Sequence, residues 1–541
     1  MTKYGKEQRT RRRYWVWTLL LIILLLTVTV RIRLLTTPLE RDEGDYAYMG
    51  QLILQGIPPF AGAYELKMPG LYAIYALIMA IFGRSIAGIR IGIILVNAGT
   101  ILLLFFVGKR LFGDFAGFAA ASSYALLSLG QNILGLFANA EHFIVLAVVA
   151  GLVLLLRALD FDRLLVLFFS GILFGMALII KQQSVLFIAF GGFYLVFRTL
   201  RDRPVIWRRT LIKWVFYGVG AVLPLIITCL ILWASKVFDK FWFWTYIYPK
   251  AYSSQISLFE GLKLLKQNIS PIISQGIFIW ILAGLGFVSL FLYKKARRHA
   301  FFILTFLLLS FLSVCPGLYF RTHYFILLLP AVSILAGVGT SSFAELFIKG
   351  RPSFLKKALP ALLGFVVLFQ SVFKQSEYLF RLSPERVSRA IYGLNPFPES
   401  LKIAEYIKNH STRSDTIAVL GSEPQIFIYS DRRSATKHIV VYPLMLKHRY
   451  VTKMQQEMIW EIESARPKYL IFVSISTSWM INPDSDKTIF AWFSRYQQKY
   501  YKRMGVIDLI SEEKTVYRWG QEALGYSPQS QFWVAVFERI D

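Results

Sequence analysis

Four carboxylates fall within six residues in Glu40-Arg41-Asp42-Glu43-Gly44-Asp45, continued by Tyr46, directly after a long apolar run. A cluster of this kind offers a general base or a cation site. It equally suits the start of a helix, where Asp and Glu meet the positive end of the dipole. Farther on, Glu65-Leu66-Lys67-Met68-Pro69-Gly70 puts a lysine before an apolar stretch. A lysine there can bind a phosphate at a helix start, or can simply snorkel to a membrane interface. Lys181 is the only charge between two apolar runs, so its desolvation calls for an anionic partner. Three further segments share this character: Gln131–Glu141, with Asn139 and Glu141 and no basic residue, then Phe241–Pro249, rich in aromatics, and Arg321-Thr322-His323-Tyr324. The aromatic string suits an interfacial belt or a groove for a lipid tail. Carboxylates to activate a nucleophile and cations to meet a phosphate are the groups needed for transfer from a phosphorylated donor. No Gly-rich nucleotide loop and no His/Cys spacing for zinc accompanies them.

The elements that must position these groups follow from composition. Of 541 residues, 56% are apolar, 16% aromatic and only 17% charged, yet 60 Lys and Arg against 32 Asp and Glu give a net charge of +28. Disorder is excluded by the apolar content. A disulfide scaffold is excluded because Cys229 and Cys315, the only two cysteines, sit inside apolar runs. A mean hydropathy of +0.51 argues against a basic nucleic-acid binder. The chain reads as a polytopic α-helical membrane protein of about eleven spans, with further sequence after them. The spans expected are Trp15–Leu34, Ile86–Gly108, Phe115–Leu129, Asn139–Leu156, Leu164–Ile180, Ser184–Phe197, Leu211–Trp233, Ser270–Tyr293, Ala300–Gly317, Tyr324–Phe347 and Ala358–Phe373.

Met68–Gly83 is the ambiguous run, and the positive-inside rule arbitrates. If it does not cross and residues 1–14 form a cytoplasmic basic N-terminus, 24 basic residues before the C-terminal part lie inside and 13 outside. If it crosses, the division is 15 inside and 22 outside. The first arrangement makes Met68–Gly83 an in-plane or re-entrant helix within an outer loop, residues 35–85, of a membrane domain spanning 15–373. The N-terminal segment then acts as an uncleaved anchor, since no small-residue cleavage site follows it. An odd number of crossings puts residues 374–541 outside. There, apolar strings at Thr416–Leu420, His438–Tyr442 and Tyr469–Val473 alternate with helical patterns at Glu399–Asn409 and Thr452–Ala465, which predicts an α/β domain.

The order of these motifs resembles one family. Asp42-Glu43 after the first span, Lys67-Met68-Pro69 in the first loop, Glu141, Lys181 at an outer helix end and Arg321-Thr-His-Tyr-Phe-Ile-Leu-Leu-Leu-Pro330 carry the resemblance. It is to the GT-C membrane glycosyltransferases of the polyprenyl-phosphate-sugar branch, which includes protein O-mannosyltransferases and the aminoarabinose transferase that modifies lipid A. The likeness covers about residues 30–345. The C-terminal part is similar to the periplasmic α/β domain of bacterial members in Val419-Leu-Gly-Ser-Glu-Pro-Gln-Ile-Phe-Ile-Tyr and Ser430-Asp-Arg-Arg. Met68 stands where the family has the first of two prolines, and Glu141 where it usually has Asp.

The resemblance implies an inverting transfer from a polyprenyl-phosphate-linked sugar to an envelope acceptor: lipid A, another glycolipid or polysaccharide, or a protein. The site would be on the outer face of the cytoplasmic membrane. It implies Asp42 as the catalytic carboxylate with Glu43 beside it, and Lys67, Lys181 and Arg321 as donor-phosphate ligands. Glu141, Asp45, Tyr46, His323 and Tyr324 become substrate or acceptor contacts. No cofactor or metal is implied, and no nucleic-acid partner. A secondary transporter is a rival reading, but transporters show repeats and broken helices near the midplane, whereas no repeat is evident here. A non-catalytic envelope-assembly scaffold would leave the acidic loop and Lys181 without a purpose.

Overall fold

The computed structural model describes residues 3–201, 205–253, 256–348, 364, 366–367 and 369–540, and the chain forms two compact units. The first comprises Met1–Arg33, Arg90–Cys229 and Gln255–Arg381; the second comprises Leu34–Ile89, Leu230–Ser254 and Leu382–Asp541. The acidic first loop and the aromatic segment therefore share a unit with the C-terminal sequence.

In the first unit, apolar runs become helices because a backbone in hydrocarbon must satisfy its own hydrogen bonds. Among the described residues, six helices are long and apolar enough to cross a membrane: Val16–Arg33, Ile86–Phe112, Ala140–Phe161, Gln182–Arg201, Trp207–Ala234 and Thr322–Ala344. A bent pair makes up to seven. The expected count of eleven is not confirmed among the described residues, where several of the runs form shorter apolar helices. Asp114–Leu127 has 14 residues, Leu164–Ile180 has 17 and Ala300–Leu312 has 13, against the ~20 that span a bilayer core. Half of the eleventh run, Ala358–Phe373, lies outside the described residues.

The bent pair corrects the single span expected over Ser270–Tyr293. Helices Leu258–Gln275 and Ile277–Leu292 meet at 101°. At the break the Gln370 side-chain amide donates to the Gln275 carbonyl at 3.2 Å, and the Gln275 side chain accepts from the Asn132 backbone at 3.3 Å. Ile277–Leu292 also crosses Leu329–Ile348 closely. A Cβ on Gly286 would sit 2.0 Å from the Leu335 carbonyl, and one on Gly339 would sit 2.0 Å from that of Leu282. Small residues at such crossings are what let membrane helices approach.

The second unit is built on a six-stranded sheet of order β2-β1-β3-β6-β4-β5. Its strands are β1 (Thr416–Leu420), β2 (Arg433–Ser434), β3 (Tyr469–Ser474), β4 (Tyr501–Leu509), β5 (Thr515–Trp519) and β6 (Trp533–Arg539). β1 pairs in parallel with β2 and β3, whereas β3–β6, β6–β4 and β4–β5 are antiparallel. The strands expected at Thr416–Leu420 and Tyr469–Val473 are present, as are helices Glu399–Asn409 and Val451–Ala465. His438–Tyr442 is not a strand. Its backbone is satisfied locally: the His438 amide donates to the Thr436 hydroxyl at 3.1 Å, and the Val441 amide to the Ser422 hydroxyl at 3.0 Å. Met68–Gly83 forms helix Pro69–Phe82, capped at Gly83 with φ 88°.

Candidate functional site

The acidic motif opens helix Arg41–Leu54, and its four carboxylates play different parts. Glu40 is the N-cap: its side chain accepts the Glu43 amide at 3.0 Å, while Glu43 accepts the Glu40 amide at 3.3 Å, a reciprocal capping box. The helix-start reading thus holds for these two. Burial, and then the negative Asp42 and Glu43, push the Glu40 carboxyl up to about 8. Asp45 is 1% exposed, and burial followed by repulsion from Glu65 raises its carboxyl well above the usual range. Asp42, only partly buried, accepts the Tyr46 hydroxyl at 3.3 Å.

Lys67 belongs to the same cluster. Its ammonium donates to Glu65 at 2.9 Å and lies 5.5 Å over the Tyr46 ring. Burial works to lower its pKa, but Glu65, Tyr46 and Asp42 outweigh it and hold the ammonium charged well above the ordinary lysine range. Asp42, Asp45, Tyr46 and Lys67 are therefore brought together, with Glu65 as the fifth member. Glu65 is visible in the sequence beside Lys67, yet its role emerges only when the loop folds back.

This cluster is held by the C-terminal sequence of the same unit. Arg41 donates to the Ser422 carbonyl at 2.6 Å and pairs with the fully buried Glu423 at 3.4 Å. Gly44 faces helix Gln425–Ser430 so closely that a Cβ would stand 2.6 Å from the Gln425 backbone nitrogen. The Tyr48 hydroxyl accepts the Ser434 amide at 2.8 Å, and the Gln51 amide donates to Asp431 at 2.7 Å. The pairing of Arg41 with Glu423 is not visible in the sequence, because nothing local links residue 41 to residue 423.

The aromatic segment is neither simple belt nor open groove. Phe241, Trp244 and Tyr248 are buried. Phe241 meets Phe60 at 5.7 Å, Trp244 stacks on Tyr64 at 4.9 Å, and Tyr248 meets His448 at 5.1 Å.

The remaining candidates assemble in the first unit. Lys181 ends helix Leu164–Ile180 in extended conformation, and Glu141 stands in the first turn of Ala140–Phe161. Their side chains, 7% and 1% exposed, form an ion pair at 2.5 Å. Glu141 is thus the anionic partner that the isolated lysine requires. The Lys181 ammonium also lies 3.9 Å over the Tyr324 ring, whose edge meets His323 at 4.8 Å. Arg321 lies 5.8 Å over the Tyr319 ring. Among the described residues no group of three or more His, Cys, Asp or Glu is placed to hold a metal ion.

Both lysines are thereby stored as neutral Lys–Glu pairs. Pairing offsets the several kcal/mol that a lone buried charge would cost.

The multi-helical apolar unit joined in one chain to a mixed α/β sheet is a GT-C fold, shared with solved structures. The chain matches structures of that class along nearly its whole length. ArnT from Cupriavidus metallidurans, solved bound to undecaprenyl phosphate, superposes with a TM-score of 0.57 at 15% identity, covering 96% of this chain and 97% of that one. The oligosaccharyltransferase of Archaeoglobus fulgidus in the apo form superposes with a TM-score of 0.55 at 11% identity, covering 98% of this chain and 76% of that one.

At the level of sequence, residues 67–233 match the family model described as dolichyl-phosphate-mannose-protein mannosyltransferase. The chain is also 30% identical over 217 residues to the undecaprenyl phosphate-alpha-4-amino-4-deoxy-L-arabinose arabinosyl transferase of Pseudomonas aeruginosa strain UCBPP-PA14. That alignment spans 38% of this chain and 38% of the relative.

Proposed function

We propose that this chain is an inverting glycosyltransferase that moves a sugar from a polyprenyl-phosphate donor to a cell-envelope acceptor. The observation that carries the reading is Asp42: a partly exposed carboxylate on a capped helix, adjoining a buried lysine held charged. The arabinosyl transferase and the family model that the chain resembles carry lipid-phosphate sugars in their names, which supports the same donor chemistry.

In the proposed step an acceptor hydroxyl or amine attacks the anomeric carbon and gives its proton to Asp42. The new glycosidic bond forms as the anomeric C–O bond to phosphate breaks, and the polyprenyl phosphate leaves with the electron pair. Lys67 meets the charge developing on that phosphate; a fixed charge of this kind is worth about 3–4 kcal/mol at a transition state. One base suffices for a single displacement, unlike the two carboxylates of a glycosidase. Glu43 contributes by closing the helix cap under Asp42. Glu141 keeps Lys181 in place, and Asp45, Tyr46, His323 and Tyr324 complete the surroundings of the two lysines. The donor delivers its sugar already activated on a lipid, so no nucleotide-binding domain is required.

The acceptor belongs to the envelope: lipid A or another lipid-linked glycan, a polysaccharide, or a protein side chain. Mass spectrometry of envelope glycolipids and glycoproteins with and without the gene tests the reading. Loss of one sugar mass from one component is expected, and an unchanged envelope profile contradicts it. The proposed orientation keeps the N-terminus cytoplasmic and the C-terminal domain outside. A cysteine at Ser85 should then react with an impermeant thiol reagent added to intact cells; labelling only after permeabilisation would invert the arrangement.

A further inference from the structure

Residues 55–68, between helices Arg41–Leu54 and Pro69–Phe82, contain no helix or strand. The position of Lys67 in such a segment is decided by side-chain anchors rather than by a backbone ladder. Tyr64 supplies the principal anchor. Its amide donates to the Lys437 carbonyl at 2.8 Å, and its hydroxyl donates to Glu457 at 3.0 Å. Its ring stacks on Trp244 at an interplanar angle of 24° and meets the edge of the His438 ring at 5.2 Å.

The other side of this contact is itself built. His438 is 1% exposed at its side chain, with Nε2 3.4 Å from the Glu457 carboxylate and its ring 5.9 Å from Trp244. Glu457 and Glu461 lie one turn apart on helix Val451–Ala465, so they share a face. Glu461 accepts the Lys437 ammonium at 2.6 Å, the Lys437 amide at 2.9 Å and the Thr436 hydroxyl at 2.8 Å. The Lys240 and Lys437 ammoniums lie 5.9 and 5.8 Å over the Tyr64 ring. Three chain segments thus converge on one tyrosine, which stands next to the carboxylate that holds Lys67.

We propose that Tyr64, His438 and Glu457 are positioning residues for Lys67, a clamp through which the C-terminal domain fixes the lysine that meets the donor phosphate. This rests on the donor-phosphate reading of Lys67. Its physical basis is that a charged group contributes only where it is held, and a displacement of about 1 Å can cost 10²-fold in rate. The C-terminal domain acts here through a side chain in the first loop, touching neither donor nor acceptor.

Two measurements on the full chain in lipid nanodiscs test the clamp. In hydrogen exchange, Tyr64→Phe and Glu457→Gln should speed exchange in residues 56–68 and leave β1 and β3 unchanged. Unchanged exchange in 56–68 overturns the clamp whether or not the protein is a transferase. The second measurement is affinity for undecaprenyl phosphate in a double-mutant cycle. Glu457→Gln should weaken binding about tenfold in the otherwise native chain and have no further effect in Lys67→Met, because the two act through one contact. Equal losses in both backgrounds would reduce the clamp to a structural role. If the unaltered chain does not bind undecaprenyl phosphate, the donor reading of Lys67 falls, while hydrogen exchange still decides whether the clamp exists.

Discussion

Asp42→Asn is expected to lower sugar transfer by about 10²–10⁴-fold, the range set by removing a positioned general base. The substitution keeps the size of the side chain and can still accept the Tyr46 hydroxyl, so thermal unfolding and expression should stay near those of the unaltered chain. Glu43→Gln is the matched control. It touches the capping box, where loss of a cap costs about 0.5–2 kcal/mol, and turnover should largely survive in the folded fraction. The pair therefore separates base chemistry from helix capping within two adjacent residues. Turnover retained in Asp42→Asn would remove the base assignment, and equal loss in both variants would return the acidic motif to a purely structural role.

Glu423→Ala is expected to have the largest effect on stability. Glu423 is fully buried, pairs with Arg41 at 3.4 Å and accepts the Ser478 hydroxyl at 2.7 Å. Removing one member of a buried pair leaves the other uncompensated, at a cost of about 3–5 kcal/mol. Glu423→Gln should cost much less, since an amide can still serve both partners. Burial already raises the Glu423 carboxyl above its ordinary range despite Arg41, so a neutral group is tolerated there. The contrast is readable as loss of protease resistance in residues 34–54 of the alanine variant with near-normal resistance in the glutamine variant. Near-normal resistance in the alanine variant would show that Glu423 does not hold the acidic helix.

The same comparison explains what the sequence makes legible. Lys181 announces its need for an anion because nothing near it in the chain is charged, and Glu141 answers from 40 residues away. The helix Glu399–Asn409 and strands β1 and β3 follow from periodicity and from short apolar runs enriched in β-branched residues. The acidic motif shows its capping potential in the spacing of Glu40 and Glu43, though not which carboxylate stays available.

Other features depend on partners that pattern cannot reveal. His438–Tyr442 has strand composition but spends its amides on Thr436 and Ser422. The break after Gln275 depends on Gln370, 95 residues later. β4, β5 and β6 extend the sheet through a chain of antiparallel pairings, β6 on β3, β4 on β6 and β5 on β4, whose order is not written in the local sequence. The aromatic segment reads as a membrane belt because Trp and Tyr favour interfaces; its burial against Phe60 and Tyr64 is a tertiary fact. Within a net charge of +28, Lys67 and Lys181 are each met by a dedicated glutamate.

The most direct test of the central claim is a single-turnover assay with the purified full chain in nanodiscs, supplied with undecaprenyl-phosphate-linked sugars and an envelope lipid extract. Release of free undecaprenyl phosphate, one for each sugar appearing on acceptor and absent in Asp42→Asn, is the predicted result. Intact lipid-linked donors after prolonged incubation across the panel, with the chain folded and the extract complete, would contradict the account.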